Sequence, residues 1–169
     1  MRFITGWVSE LVATICIALV MLSGCHAVKE PVSKIDMADM RTAGQLLRGF
    51  YQLENDRWRW TGQKFSVALK PPNGAEQRGA TLDLHIYLPE SQIESLGPMT
   101  LSACTGEFSL ASETFSKGGT YIYSREIPKD ALATSLLPVD FQFDKATAPF
   151  TGDGRQLAAI VTNVELQTD

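Results

Sequence analysis

Histidine and cysteine are scarce, and basic residues never cluster. The 169-residue chain has two His, three Cys and a formal charge of −4. A mildly acidic chain without a basic run argues against a nucleic-acid partner and against an electrostatic membrane-binding patch. His85 is the only histidine beyond the first thirty residues, so a histidine-rich metal site is excluded, and neither metal nor cofactor is expected. Cys104 is the only cysteine beyond residue 25. No intramolecular disulfide can then staple the body of the chain, which must rely on its hydrophobic core. Leu101–Gly106 reads as a strand entering a turn with no histidine nearby, so Cys104 is expected to be structural rather than nucleophilic. There is no Gly-x-Ser-x-Gly elbow, no His-Glu-x-x-His helix and no phosphate-binding glycine loop, and a non-enzyme is expected. Glu54, Asp83, Glu107, Glu126 and Asp140 are available for a carboxylate pair, yet nothing in their order selects two of them. Internal repeats and low-complexity stretches are absent too.

What is present begins with an apolar run, Leu11–Leu22, broken only by Thr14 and preceded by Arg2 and Glu10. It is shorter than the roughly 20 residues an ordinary membrane span needs, and its length suits the core of a signal peptide. An anchoring helix from about Ile4 to Leu22, tolerating Glu10, is the alternative. Leu22-Ser23-Gly24-Cys25 closes the run and resembles the lipobox of bacterial lipoproteins. The resemblance implies a signal peptide over residues 1–24, cleavage before Cys25, and acyl chains (palmitate among them) on that cysteine as the membrane attachment. It implies the bacterial cell envelope, and His26 in place of an aspartate favours the outer membrane if the organism has two membranes. Residues 25–48 read as the lipidated N-terminus, a polar tether around Pro31 and a short helix. Asp36 would cap that helix, Met37, Met40 and Leu47 would share a face, and Gly49 would end it.

From Gly49 the pattern changes to period two. Leu82, Leu84, Ile86 and Leu88 alternate with Thr81, Asp83, His85 and Tyr87; Val139, Phe141 and Phe143 alternate with polar residues; Ile160, Thr162, Val164 and Leu166 oppose Val161, Asn163, Glu165 and Gln167. Further strands are expected at Phe50–Glu54, Arg57–Thr61, Phe65–Leu69, Met99–Cys104, Phe108–Phe115 and Thr120–Glu126. Turn residues separate them at Glu54-Asn55-Asp56, Pro71-Pro72-Asn73-Gly74 and Lys117-Gly118-Gly119, the last as a tight hairpin between its flanking strands. About nine short strands define an all-β domain over residues 49–169, an antiparallel β-sandwich of jelly-roll-like topology.

Three local patterns offer chemistry. In Arg57-Trp58-Arg59-Trp60-Thr61 the two indoles would share one face of a strand and the two guanidinium groups the other. Indole rings stack on the apolar faces of sugars while arginines donate to hydroxyls or acidic groups; equally, two Trp at this spacing fill a core. Asp153 and Arg155 on the glycine-rich loop before the last strand either meet a ligand or brace their own turn. Asp83, His85 and Tyr87 on one strand face form a polar-ligand or metal site or, more simply, a solvated surface, since a zinc site needs three or four convergent ligands. The ligand-binding candidates are therefore Trp58, Arg59, Tyr87, Asp153 and Arg155.

Gly49-Phe50-Tyr51…Glu54…Arg57-Trp58-Arg59-Trp60-Thr61 together with Asp153…Arg155-Gln156-Leu157…Ile160-Val161 is similar to a module accompanying bacterial glycosyltransferases of surface-polysaccharide synthesis. That module shows a glycine where Ala158 stands here. The resemblance spans residues 49–166 and implies a β-sandwich with a carbohydrate-related role and no catalytic residues. The expectation is thus a lipid-anchored envelope protein whose sandwich binds a glycan or a protein partner. A structural or assembly lipoprotein of an envelope complex, without glycan binding, is the alternative.

Overall fold

The computed structural model describes residues 30–168; the signal peptide expected over residues 1–24 and the expected lipidation site Cys25 lie outside the described residues. The strands are β1 (Lys34–Asp36), β2 (Leu46–Glu54), β3 (Trp58–Leu69), β4 (Ala80–Leu88), β5 (Met99–Thr105), β6 (Phe108–Phe115), β7 (Gly119–Ile127), β8 (Leu137–Phe143) and β9 (Ile160–Thr168). Short helices α1 (Ala75–Arg78), α2 (Glu90–Leu96) and α3 (Lys129–Leu132) fill connections. The fold is all-β and antiparallel, with strand order β6-β5-β8-β3-β9-β4-β7; β1 adds to β9 and β2 to β3. Lys64–Leu69 of β3 pair with β8, whereas Arg59 and Trp60 pair with β9. One long strand therefore joins two branches, β8-β5-β6 and β9-β4-β7, whose inner faces share a single core. Phe65 sits at that junction, stacked on Phe141 at 5.0 Å and edge-on to Phe50 at 5.4 Å.

The free ends of the two branches approach each other, giving a nearly closed, sandwich-like barrel without a backbone ladder at the seam. Side chains close it instead. The Tyr123 hydroxyl of β7 donates to the Ala111 carbonyl of β6 at 2.7 Å, and Arg125 reaches Ala111 and Glu113. Burial pushes the Tyr123 hydroxyl pKa up, so it remains the donor this seam requires.

Several expectations are corrected. Arg57–Thr61 and Phe65–Leu69 are one strand, because Gly62 and Gln63 continue the extended backbone. The ninth strand is β1, read from sequence as tether: Ile35 is fully buried between exposed Lys34 and Asp36, and three residues are too few to show a period. The helix expected after Asp36 is a 3-10 turn, Met40–Gln45, capped by Asp39, and Leu46 already pairs with β3. Gln45 locks this segment down, exchanging two hydrogen bonds with Val32 and donating to Ala68 at 2.7 Å. No β6–β7 hairpin forms. β6 pairs with β5 and β7 with β4. Gly118 is pressed against the start of α2, where a Cβ would lie 2.5 Å from the Glu90 Cα. In β9 the alternation breaks at Thr162, which is bulged out between the His85–Asn163 and Ile86–Val161 pairs. Val161, Val164 and Leu166 point inward, and Ile160 is turned to the outer face.

The Glu54–Arg57 turn follows its sequence signal. Asn55 and Asp56 both take positive φ (48° and 53°), as the central residues of a type I′ turn do, and Arg57 N–H bonds Glu54 C=O at 3.1 Å.

Candidate functional site

The phase of β3 sets the site. Phe65, Val67 and Leu69 face the core, and the same phase runs back through Thr61 to Arg59, both buried. Trp58 and Trp60 therefore lie on the outer face, half-buried and outside the hydrophobic core. Of the two readings the sequence left open, the indoles are on the outer face rather than in the core, and Arg59, expected to face out, is inside. Arg59 donates to the Tyr51 carbonyl at 3.0 Å and to the Met40 sulfur at 3.2 Å, and its Nε has no hydrogen-bond partner. Such a guanidinium braces the end of the barrel beneath the 3-10 turn and is removed from any ligand on the outer face.

Cross-strand register then builds a row from the candidates. Trp60 is opposite Ile160, Ile160 opposite Tyr87, and Tyr87 opposite Thr120. Residues directly opposite share a face, with Cβ atoms about 5 Å apart. The result is an apolar, aromatic strip across β3, β9 and β4, with Tyr87 40% exposed and Ile122 51% exposed beside it. Ile160 joins only because of the Thr162 bulge. Trp60 and Ile160 were not singled out as ligand contacts from sequence. The signal that would have placed Trp60 was the inward phase of Phe65, Val67 and Leu69, had it been carried through Gly62.

Asp153 and Arg155 flank the row without opening toward it. The loop between β8 and β9 folds back through the Phe150–Asp153 and Thr147–Leu157 bridges. Arg155 grips Asp153 through Nε and Nη2 (2.9 and 2.8 Å) and reaches Glu54 with Nη1 at 2.7 Å. Glu54 is the cross-strand partner of Trp58, so the loop is fastened to the β2–β3 hairpin beside the indoles. Hydrogen bonding from Arg155 holds the Asp153 carboxyl below its ordinary pKa, and bonding to Asp153 and then Glu54 raises that of Arg155. These charges are satisfied by one another, and the pair braces the rim.

Beyond the row, His85 Nε2 lies 3.7 Å from Glu165, which also pairs with Lys34 at 3.0 Å. Asp83 receives a long bond from Gln167, and its Oδ1 is buried without a partner. Among the described residues, no group of three or more His, Cys, Asp or Glu is arranged to hold a metal ion. Cys104 is half-buried and unpaired, lining a groove on the outer face of the other branch. The structure thus brings Trp58, Tyr87, Asp153 and Arg155 to one side of the molecule and separates Arg59 from them.

No family model matches this chain, and no curated protein matches it. Among solved structures it is similar to dimeric latent PorU from Porphyromonas gingivalis, with 19% identity over 63% of this chain and 10% of that one. The TM-score of 0.35 is too low to carry an argument.

Proposed function

We propose that this chain is a lipid-anchored cell-envelope protein whose β-domain binds carbohydrate without catalysing a reaction. The observation that carries the reading is the strip of Trp60, Ile160 and Tyr87, with Trp58 beside it, on an outer face the core does not need. A flat aromatic strip rimmed by polar groups matches the alternation of apolar ring faces and hydroxyls on a sugar. The Asp153–Arg155–Glu54 brace supports it by holding the hairpin that presents Trp58. Stacking needs no nucleophile, in keeping with a sequence that offers no catalytic motif.

Binding of the full-length chain, purified in detergent, to an array of bacterial surface glycans tests this. Retention of at least one glycan, competed by the same free oligosaccharide, is expected. Silence across the array, with specific co-purification of one envelope protein, would replace the reading with an assembly role. Attachment is tested separately. The membrane-purified protein is expected to begin at Cys25 and carry acyl chains, and a mass spectrum showing an intact leader with unmodified Cys25 would remove the lipid anchor.

A further inference from the structure

We propose that the outer face of β3 is a single track for a linear acidic polysaccharide, with the aromatic strip at one end and a cationic groove around Lys64 at the other. The inference rests on the carbohydrate reading and names the class of chain it concerns.

With Arg59, Thr61 and Phe65 inward, the outward positions of β3 are Trp58, Trp60, Gly62 and Lys64. Trp60 and Lys64 are four residues apart, about 13 Å along a strand. Nothing tall stands between them on β3, since Gly62 has no side chain. Tyr51 comes close to that position instead: its hydroxyl donates to the Gln156 carbonyl at 2.9 Å and lies 3.9 Å from where a Gly62 Cβ would be. Tyr51 and the Gln156 carbonyl thus lie between Trp60 and Lys64, with the Arg155 guanidinium 5.3 Å from the Tyr51 ring centroid.

There the face opens into a groove of about 480 Å³, lined by Arg48, Lys64, Ser102, Cys104, Asp140 and Gln142 among others. Register explains the space. Lys64, Gln142 and Ser102 form one row across β3, β8 and β5, and Asp140 and Cys104 belong to the next. The short Ser102 and Cys104 side chains leave a trough beside the longer ones. Arg48 is paired with Asp140, whereas exposed Lys64 has no ion-pair partner among the described residues. In a chain of net charge −4, an unpaired cation at the end of an aromatic strip selects a polymer that is both stackable and anionic. Uronate-containing glycans have that chemistry: ring faces for the indoles, a carboxylate for Lys64, and hydroxyls for Asp140 and Gln142.

The test measures affinities of the full-length chain for hexamers of galacturonate and of mannuronate, with cellohexaose as the neutral control. Lys64→Gln is expected to weaken binding of the acidic hexamers about fivefold, the upper range for one exposed charge pair, with no change for cellohexaose. Bound acidic hexamers should also slow iodoacetamide alkylation of Cys104, read by peptide mass, because that thiol lines the groove. Unchanged acidic-hexamer affinity in Lys64→Gln and unprotected Cys104, with Trp60→Ala still weakening binding, would overturn the track and leave the aromatic-strip reading standing. Failure of all three hexamers to bind while another glycan of the array is retained would overturn the track alone, and silence across the array as well would remove both.

Discussion

Phe65→Ala is expected to destabilise the domain by about 3–5 kcal/mol, the range for emptying a fully buried aromatic position. Phe65 is 0% exposed and stacks on Phe141 and Phe143, with Phe50 edge-on. It lies on the one strand shared by both branches, so the cavity would open where the sheet divides. Relaxation is restricted on the β2 side. Gly49 takes φ +75°, and even a Cβ there would fall 2.7 Å from the Phe65 Cα. Equilibrium urea unfolding of the variant and the parent measures the loss as a shift of midpoint at unchanged slope. Phe65→Leu should recover most of it, since volume is largely kept. A loss below about 1 kcal/mol for the alanine variant would show that the two branches do not depend on a common core.

Trp60→Ala should act in the opposite sense, leaving the fold and removing the ligand. Trp60 is half-buried on the outer face and outside the core, so its truncation is expected to cost little stability. As the indole at the β3 end of the strip it is a candidate hot spot, worth about 2 kcal/mol or roughly thirtyfold in Kd. Arg59→Ala is the natural contrast. Its guanidinium is buried and bonded to Tyr51 and Met40, so that variant should lower stability and leave affinity within about twofold. Calorimetric titration and thermal melts on both variants separate the two effects. If Trp60→Ala melts early and binds normally, the indole belongs to the packing and the strip is not a binding surface.

The arrangement of the site depended on two local shifts of phase that residue order shows poorly. With Arg57–Thr61 and Phe65–Leu69 read as separate strands, nothing in residue order tied the face of Trp58 and Trp60 to that of Phe65. The hydrogen-bonded backbone runs straight through Gly62, so the phase of Phe65 governs the indoles. Thr162 looked like an inward residue of β9 and is a bulge, which moves Ile160 from core to surface beside Tyr87. The Lys117–Gly119 turn carried a sound hairpin composition. Contact with Glu90 and pairing of its two strands to different partners overrode it.

Residue order alone determined that the domain is all-β, where most strands lie, which faces of β4 and β8 are buried, and that a turn at Glu54-Asn55-Asp56 separates two strands. Each of these follows from a period or a turn preference acting over a few neighbouring residues. Tertiary structure decided the strand order, the placing of Arg59 inside and Trp60 outside, and the alignment of Trp60, Ile160 and Tyr87. Those depend on pairings between residues as far apart as β3 and β9. A one-residue change of register there exchanges the inner and outer faces, and only the packing of the whole core selects between them.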